Sequence, residues 1–147
     1  MKTVLAVGLA WVLGSAPAWA VLGERESSVG LDQDYLRGVV RVENHEGYSL
    51  QRITSADGRV VTEYVSPAGF VFGISWQGRT MPNLEQLLGS YYPQFLQASQ
   101  SRTRRRGPLV VRTDQLVVES GGHMRSFHGR AYVPNLLPKN LSAEVVR

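Results

Sequence analysis

The chain has 147 residues, 43% of them hydrophobic and 19% charged, with a formal net charge of +4 and no cysteine. That is the make-up of one ordinary globular domain with a core large enough to hold it together. The missing cysteine excludes disulfides, thiolate catalysis, thiolate metal sites and acylation as a lipoprotein, and the mild basic surplus suits anionic partners without pointing to nucleic acid.

Residues 1–20 read as a cleavable signal peptide. Lys2 supplies the positive start, Thr3 to Leu13 the apolar run, and Ala18-Trp19-Ala20 the cleavage pattern. The alternative is an uncleaved anchor, since no charge falls between Lys2 and Glu24 and that span just reaches across a bilayer. Gly14, Ser15 and Pro17 lie where a cleavage region belongs and favour removal. A cut after Ala20 sends the protein to the periplasm or outside and leaves no transmembrane helix. Residues 21–38 form a mostly irregular leader, with a short helical turn capped by Asp32 and stopped by Gly38.

From Val39 a repeated pattern begins. Asn44-His45-Glu46-Gly47, Ser55-Ala56-Asp57-Gly58 and Ser66-Pro67-Ala68-Gly69 each open on a turn-capping residue and close on glycine. The even spacing predicts a four-stranded antiparallel meander over 39–43, 48–54, 59–65 and 70–76. In the third turn Pro67 suits the first central position and Gly69 the left-handed one, which sets Ser66 opposite Phe70. Counting outward pairs Tyr64 with Phe72, Thr62 with Ile74 and Val60 with Trp76. One face then carries Val40, Val42, Tyr48, Leu50, Tyr64, Phe72, Ile74 and Trp76, with Arg52 and Thr62 as polar exceptions.

Leu84, Leu87, Leu88, Tyr91, Phe95 and Ala98 recur at helical spacing and predict a helix from Pro82 to about Tyr92, then a shorter one to about Ser99, with Pro93 causing the break. Its stripe is expected to lie on that apolar face. A basic loop follows, then strands at 109–112, 116–120 and 123–133, the last pair joined by a tight Gly121-Gly122 turn. That turn pairs Ser120 with His123, Val118 with Arg125 and Leu116 with Phe127. Residues 135–147 form a loosely packed tail in which Leu136, Leu137 and the closing valines are free to dock. The expected fold is α+β: one domain over 39–134, an antiparallel sheet with the kinked helix packed on it. The two strand groups either join edge to edge or stack as two layers.

The phrases TEYVSPAGFVFGISWQG, MPNLEQLLGSYYPQF and LVVESGGHMRSFHGRAYVP, with Leu22-Gly23 directly after the signal, resemble the small exported bacterial proteins grouped as domain of unknown function 2844. The likeness covers nearly all of the mature chain. It implies export, and it brings no catalytic residue, substrate or cofactor.

The residues themselves offer little catalytic grammar. Ser126 and His128 share a strand face, with Glu119 beside them, but two residues along a strand are separated by about 7 Å, beyond hydrogen-bond reach for a nucleophile and its base. A small periplasmic hydrolase on Ser126 and His128 is therefore the alternative reading. His123 and His128 point to opposite faces of one predicted strand, which disfavours a metal site. Arg102, Arg104, Arg105 and Arg106 make the densest charge on the chain and suit a polyanionic envelope surface. The Ser120-Gly121-Gly122-His123 turn offers backbone donors to a small anion, with His123 and Arg125 alongside. The leading expectation is a non-enzymatic binding module of the cell envelope, without a cofactor, whose partner is a polyanionic surface or another envelope protein.

Overall fold

Strand-forming runs rich in valine, isoleucine and aromatics alternate with glycine-closed turns, and the computed structural model, which describes residues 22–25, 39–101 and 107–147, folds them into one sheet. The strands are β1 Val39–His45, β2 Tyr48–Thr54, β3 Val60–Val65, β4 Val71–Gly78, β5 Leu109–Arg112, β6 Val117–His123 and β7 Ser126–Tyr132. They form a seven-stranded antiparallel sheet in the order β1-β2-β3-β4-β7-β6-β5. The two strand groups thus join edge to edge through β4 and β7. Gly47, Gly58 and Gly69 all take positive φ, as the turn pattern requires. At the third turn the Gly69 amide donates to the Ser66 carbonyl at 2.8 Å and the Ser66 amide to the Phe70 carbonyl at 2.9 Å.

Beyond that first pair the register departs from the simple count. Val65 pairs with Val71 but Tyr64 pairs with Gly73, so Phe72 is an extra residue in β4. The bulge rotates everything after it by one position. Phe72 lies with Tyr64 and Leu50 in one apolar cluster, whereas Ile74 and Trp76 lie in another with Val61, Val65 and Ile53. The single apolar face expected from the sequence is therefore divided between the two sides of the sheet.

The helices cover the Ile74 and Trp76 side. Asn83 caps α1 (Leu84–Leu88) by accepting from the Gln86 amide, a 3-10 turn spans Gly89–Tyr91, and α2 runs Tyr92–Gln100. The break falls at Gly89, three residues before the expected position, and the longer segment is the second. Pro93 has no amide to give and its ring crowds the carbonyl four residues back, which is that of Gly89. Glycine there takes φ 46, a conformation other residues resist. All six residues of the helical stripe reach the core, Leu87, Leu88 and Phe95 fully.

The second side is half covered by the C-terminal segment, which docks more firmly than a loose tail. Val146 is fully buried with Tyr64 and Phe72, and Leu137, Leu141 and Val145 pack around it. Tyr64 Oη both donates to the Arg147 carbonyl and accepts from its amide at 3.0 Å. Of the leader, residues 22–25 are also docked: Leu22 is buried, the Gly23 amide donates to the Val71 carbonyl at 2.8 Å, and Arg25 bridges to Phe70. The signal-peptide segment, the Asp32 turn and the arginine run lie outside the described residues. Among the described residues no helix is long and apolar enough to cross a membrane.

Candidate functional site

Opposite the helices, antiparallel register lines side chains up in rows perpendicular to the strands, spaced by about 4.8 Å from one strand to the next. The first row, Leu50, Tyr64, Gly73, Tyr132 and Val117, is largely apolar and carries the C-terminal segment. Gly73 makes that possible, because a Cβ there would stand 2.6 Å from Val146 Cγ2. The second row is polar: Arg52, Thr62, Ser75, Arg130 and Glu119, ending on Val110. The third runs Val60, Gln77, His128 and Gly121.

The second and third rows floor a cleft of about 880 Å³. Pro108 and Val110 close its β5 end, Arg52 stands at the β2 end, and Arg147 borders it from the covered half. Gly121 lets the His128 imidazole lie across β6, since a Cβ at 121 would stand 3.2 Å from Nε2.

The charges in the cleft are partly committed. Glu119 accepts from Arg112 Nη2 at 2.8 Å and from Arg130 Nε at 2.8 Å. The Arg112 hydrogen bond, then the Arg130 one, hold its carboxyl below the usual glutamate range. Arg130 also donates from Nη1 to the Val146 carbonyl at 3.0 Å, tying the cleft to the C-terminal segment. Arg52 pairs with Glu43 at 3.4 Å. Ser75 Oγ donates to the Arg147 carbonyl at 3.1 Å. By contrast Thr62, only 7% exposed, has no side-chain hydrogen bond among the described residues, and neither do Gln77 and His128. Three arginine side chains and one acidic side chain line the cleft, so its side-chain charge is net positive.

The residues expected from the sequence fall in different places. Arg102, Arg104, Arg105 and Arg106 lie outside the described residues. The tight turn joins β6 to β7 at Met124-Arg125, not at Gly121-Gly122, with His123 opposite Ser126 and Gly121 opposite His128. Arg125 takes φ 66 there. The two glycines are strand residues, so the expected turn of backbone donors at Ser120-Gly121-Gly122-His123, with His123 and Arg125 beside it, is not formed there. Arg125 instead lines a second hollow of about 730 Å³ that shares Val60, Gln77 and His128 with the cleft. His123 is exposed at the strand end and lines neither. The shifted turn also puts His123 and His128 on the same face in neighbouring strands. Among the described residues no three histidine or carboxylate side chains group to hold a metal ion. Ser126 and His128 share a face of β7 without a hydrogen bond between them, while both Glu119 oxygens are taken by arginine. Arg52 and Thr62 were visible in the sequence as polar exceptions on an apolar face. Ser75, Gln77, Arg130 and Arg147 gave no such signal.

A family model described as Protein of unknown function (DUF2844) matches residues 18–146. No curated protein matches the chain, and no solved structure does.

Proposed function

The chain belongs to the DUF2844 family, and from that premise we propose that it is an exported binding module of the cell envelope, non-enzymatic, that takes an anionic partner on the open half of its sheet. The observation that carries the proposal is the cleft itself. The C-terminal segment covers the apolar row and leaves two polar rows open, lined by Arg52, Arg130, Arg147 and His128 against Glu119 alone. Export rests on the signal pattern of residues 1–20. The arginine run Arg102 to Arg106 ends two residues before Pro108, a cleft residue.

Retention on heparin and on anionic vesicles, followed as salt is raised, tests this reading. Binding should weaken steeply with salt, and glutamine at the cleft residues Arg52 and Arg147 should lower the salt needed for elution. Unchanged retention in that variant would contradict it. A second reading, a small hydrolase using Ser126 and His128, is supported by the placement of His128 in the cleft. Turnover in an activity screen that is abolished by His128→Ala would establish it in place of the first.

A further inference from the structure

We infer that the cleft is a saccharide site selective for acidic sugars, holding a short glycan that bears a carboxylate or a phosphate, laid across the strands along the two polar rows. The inference rests on the reading of the protein as an anion-binding module and gives that anion a chemistry.

Shape comes first. The cleft runs from Arg52 on β2 to Val110 on β5, which are five strand spacings apart in the sheet order. At about 4.8 Å per spacing that is roughly 24 Å, far more than a lone inorganic anion fills. A volume of about 880 Å³ falls toward the upper end of small-molecule sites, which span roughly 300–1,000 Å³. A peptide seeking backbone hydrogen bonds would need a sheet edge, and this is a sheet face whose backbone groups are already in the ladder.

Hydrogen-bonding capacity is the second argument. The Thr62 hydroxyl opens on the cleft and has no hydrogen-bond partner among the described residues, so it is available to a ligand group. Gln77 and His128 stand in the neighbouring row, also without partners. A hydroxyl, an amide and an imidazole each both donate and accept, which matches ring hydroxyls that do the same. Val60, Val110 and Pro108 supply apolar surface for the C–H faces of sugar rings.

Charge selects among sugars. The one acidic side chain in the cleft, Glu119, is paired with two arginines. Arg147 borders the cleft, is exposed and has no side-chain ion pair among the described residues, so its guanidinium is available to a carboxylate or phosphate in a bidentate pair.

The Trp76 indole packs on the helix side of the sheet, across it from the cleft, so binding is followed by calorimetry on the chain beginning at Val21. Trigalacturonate and glucose 6-phosphate serve as acidic probes and maltotriose as the neutral one. At least one acidic probe should bind, and whichever is tighter identifies the anion. Maltotriose should bind at least about tenfold more weakly, and Thr62→Val and Arg147→Gln should each weaken the acidic probe by about tenfold, the loss expected for a hydrogen bond to a charged group. Both variants should keep the parent melting temperature, one being near-isosteric and the other exposed. If Thr62→Val unfolds, Gln77→Ala takes its place. Equal binding of maltotriose, or full binding by the variants, would overturn the inference. Failure of both acidic probes while salt-sensitive heparin retention persists would overturn it and leave the broader reading standing; loss of heparin retention too would overturn both.

Discussion

Gly129 stands opposite Trp76 in the β4–β7 ladder, and the indole occupies the space its side chain would need: a Cβ on Gly129 would lie 2.3 Å from Trp76 Cζ2. Trp76 is 3% exposed and its indole N–H has no hydrogen-bond partner among the described residues. Gly129→Ala is therefore an overpacking change expected to cost about 1–3 kcal/mol, and Trp76→Ala a truncation costing about 3–5 kcal/mol. Trp76→Phe should cost less than Trp76→Ala, because phenylalanine refills most of the space and no indole hydrogen bond is lost. Urea midpoints at unchanged slope measure all three. A Trp76→Ala midpoint equal to that of exposed Glu46→Ala would contradict the core assignment.

The C-terminal segment is held over the apolar row by Val146, whose methyl group takes the space left by Gly73. Gly73→Val should displace it. Amide exchange at residues 145–147 should then accelerate while that of β3 and β7 interiors stays slow. Val146→Ala should destabilise by about 1–3 kcal/mol, the worth of a buried valine side chain. Unaltered exchange in Gly73→Val would mean that the segment does not pack there.

Leu22 is buried among the helices and β4, with its amide donating to the Leu87 carbonyl at 3.1 Å. Leu22→Ala should cost about 2–5 kcal/mol, as for other buried leucines. A cost below about 0.5 kcal/mol, the range of surface changes, would show that residues 22–25 are not part of the folded unit.

Glu119 sets a pH dependence. Its carboxyl is held below the ordinary glutamate value near 4.5 by the hydrogen bonds from Arg112 and Arg130. A group whose folded pKa is depressed contributes stability that is fully present above the unfolded pKa and is lost as pH falls through the folded one. The chain should thus be more stable than Glu119→Gln at pH 7, by on the order of 1 kcal/mol for a partly exposed bridge. The difference should shrink below about pH 4.5. Paired melts across that range test it, and a difference that grows on acidification would contradict it.

The turns were legible because glycine at positive φ is a local requirement, met at Gly47, Gly58 and Gly69 by the residues themselves. The helical stripe was legible for the same reason, since Leu84 to Ala98 repeat with the helix period. The division of the apolar residues between two layers was not, because it hangs on one extra residue at Phe72. A signal existed: glycine inside a strand pattern, as at Gly73, marks a bulge or a close approach. Gly121, Gly122 and Gly129 are in-strand glycines of the same kind, and reading the first two as a turn displaced the hairpin. The true turn, with Arg125 at positive φ, carries no compositional mark. The cleft depends on that register and on a tail docking from far along the chain, so only its misfit residues, Arg52 and Thr62, and the polar residues Glu119 and His128 showed in advance.

Backbone amide shifts recorded while trigalacturonate is titrated into the chain beginning at Val21 test the binding face most directly. The cleft account predicts perturbations concentrated at Thr62, Ser75, Gln77, His128 and Arg130, with α1, α2 and β1 unmoved. Shifts confined to the helices or to β1, leaving those five positions still, would contradict it.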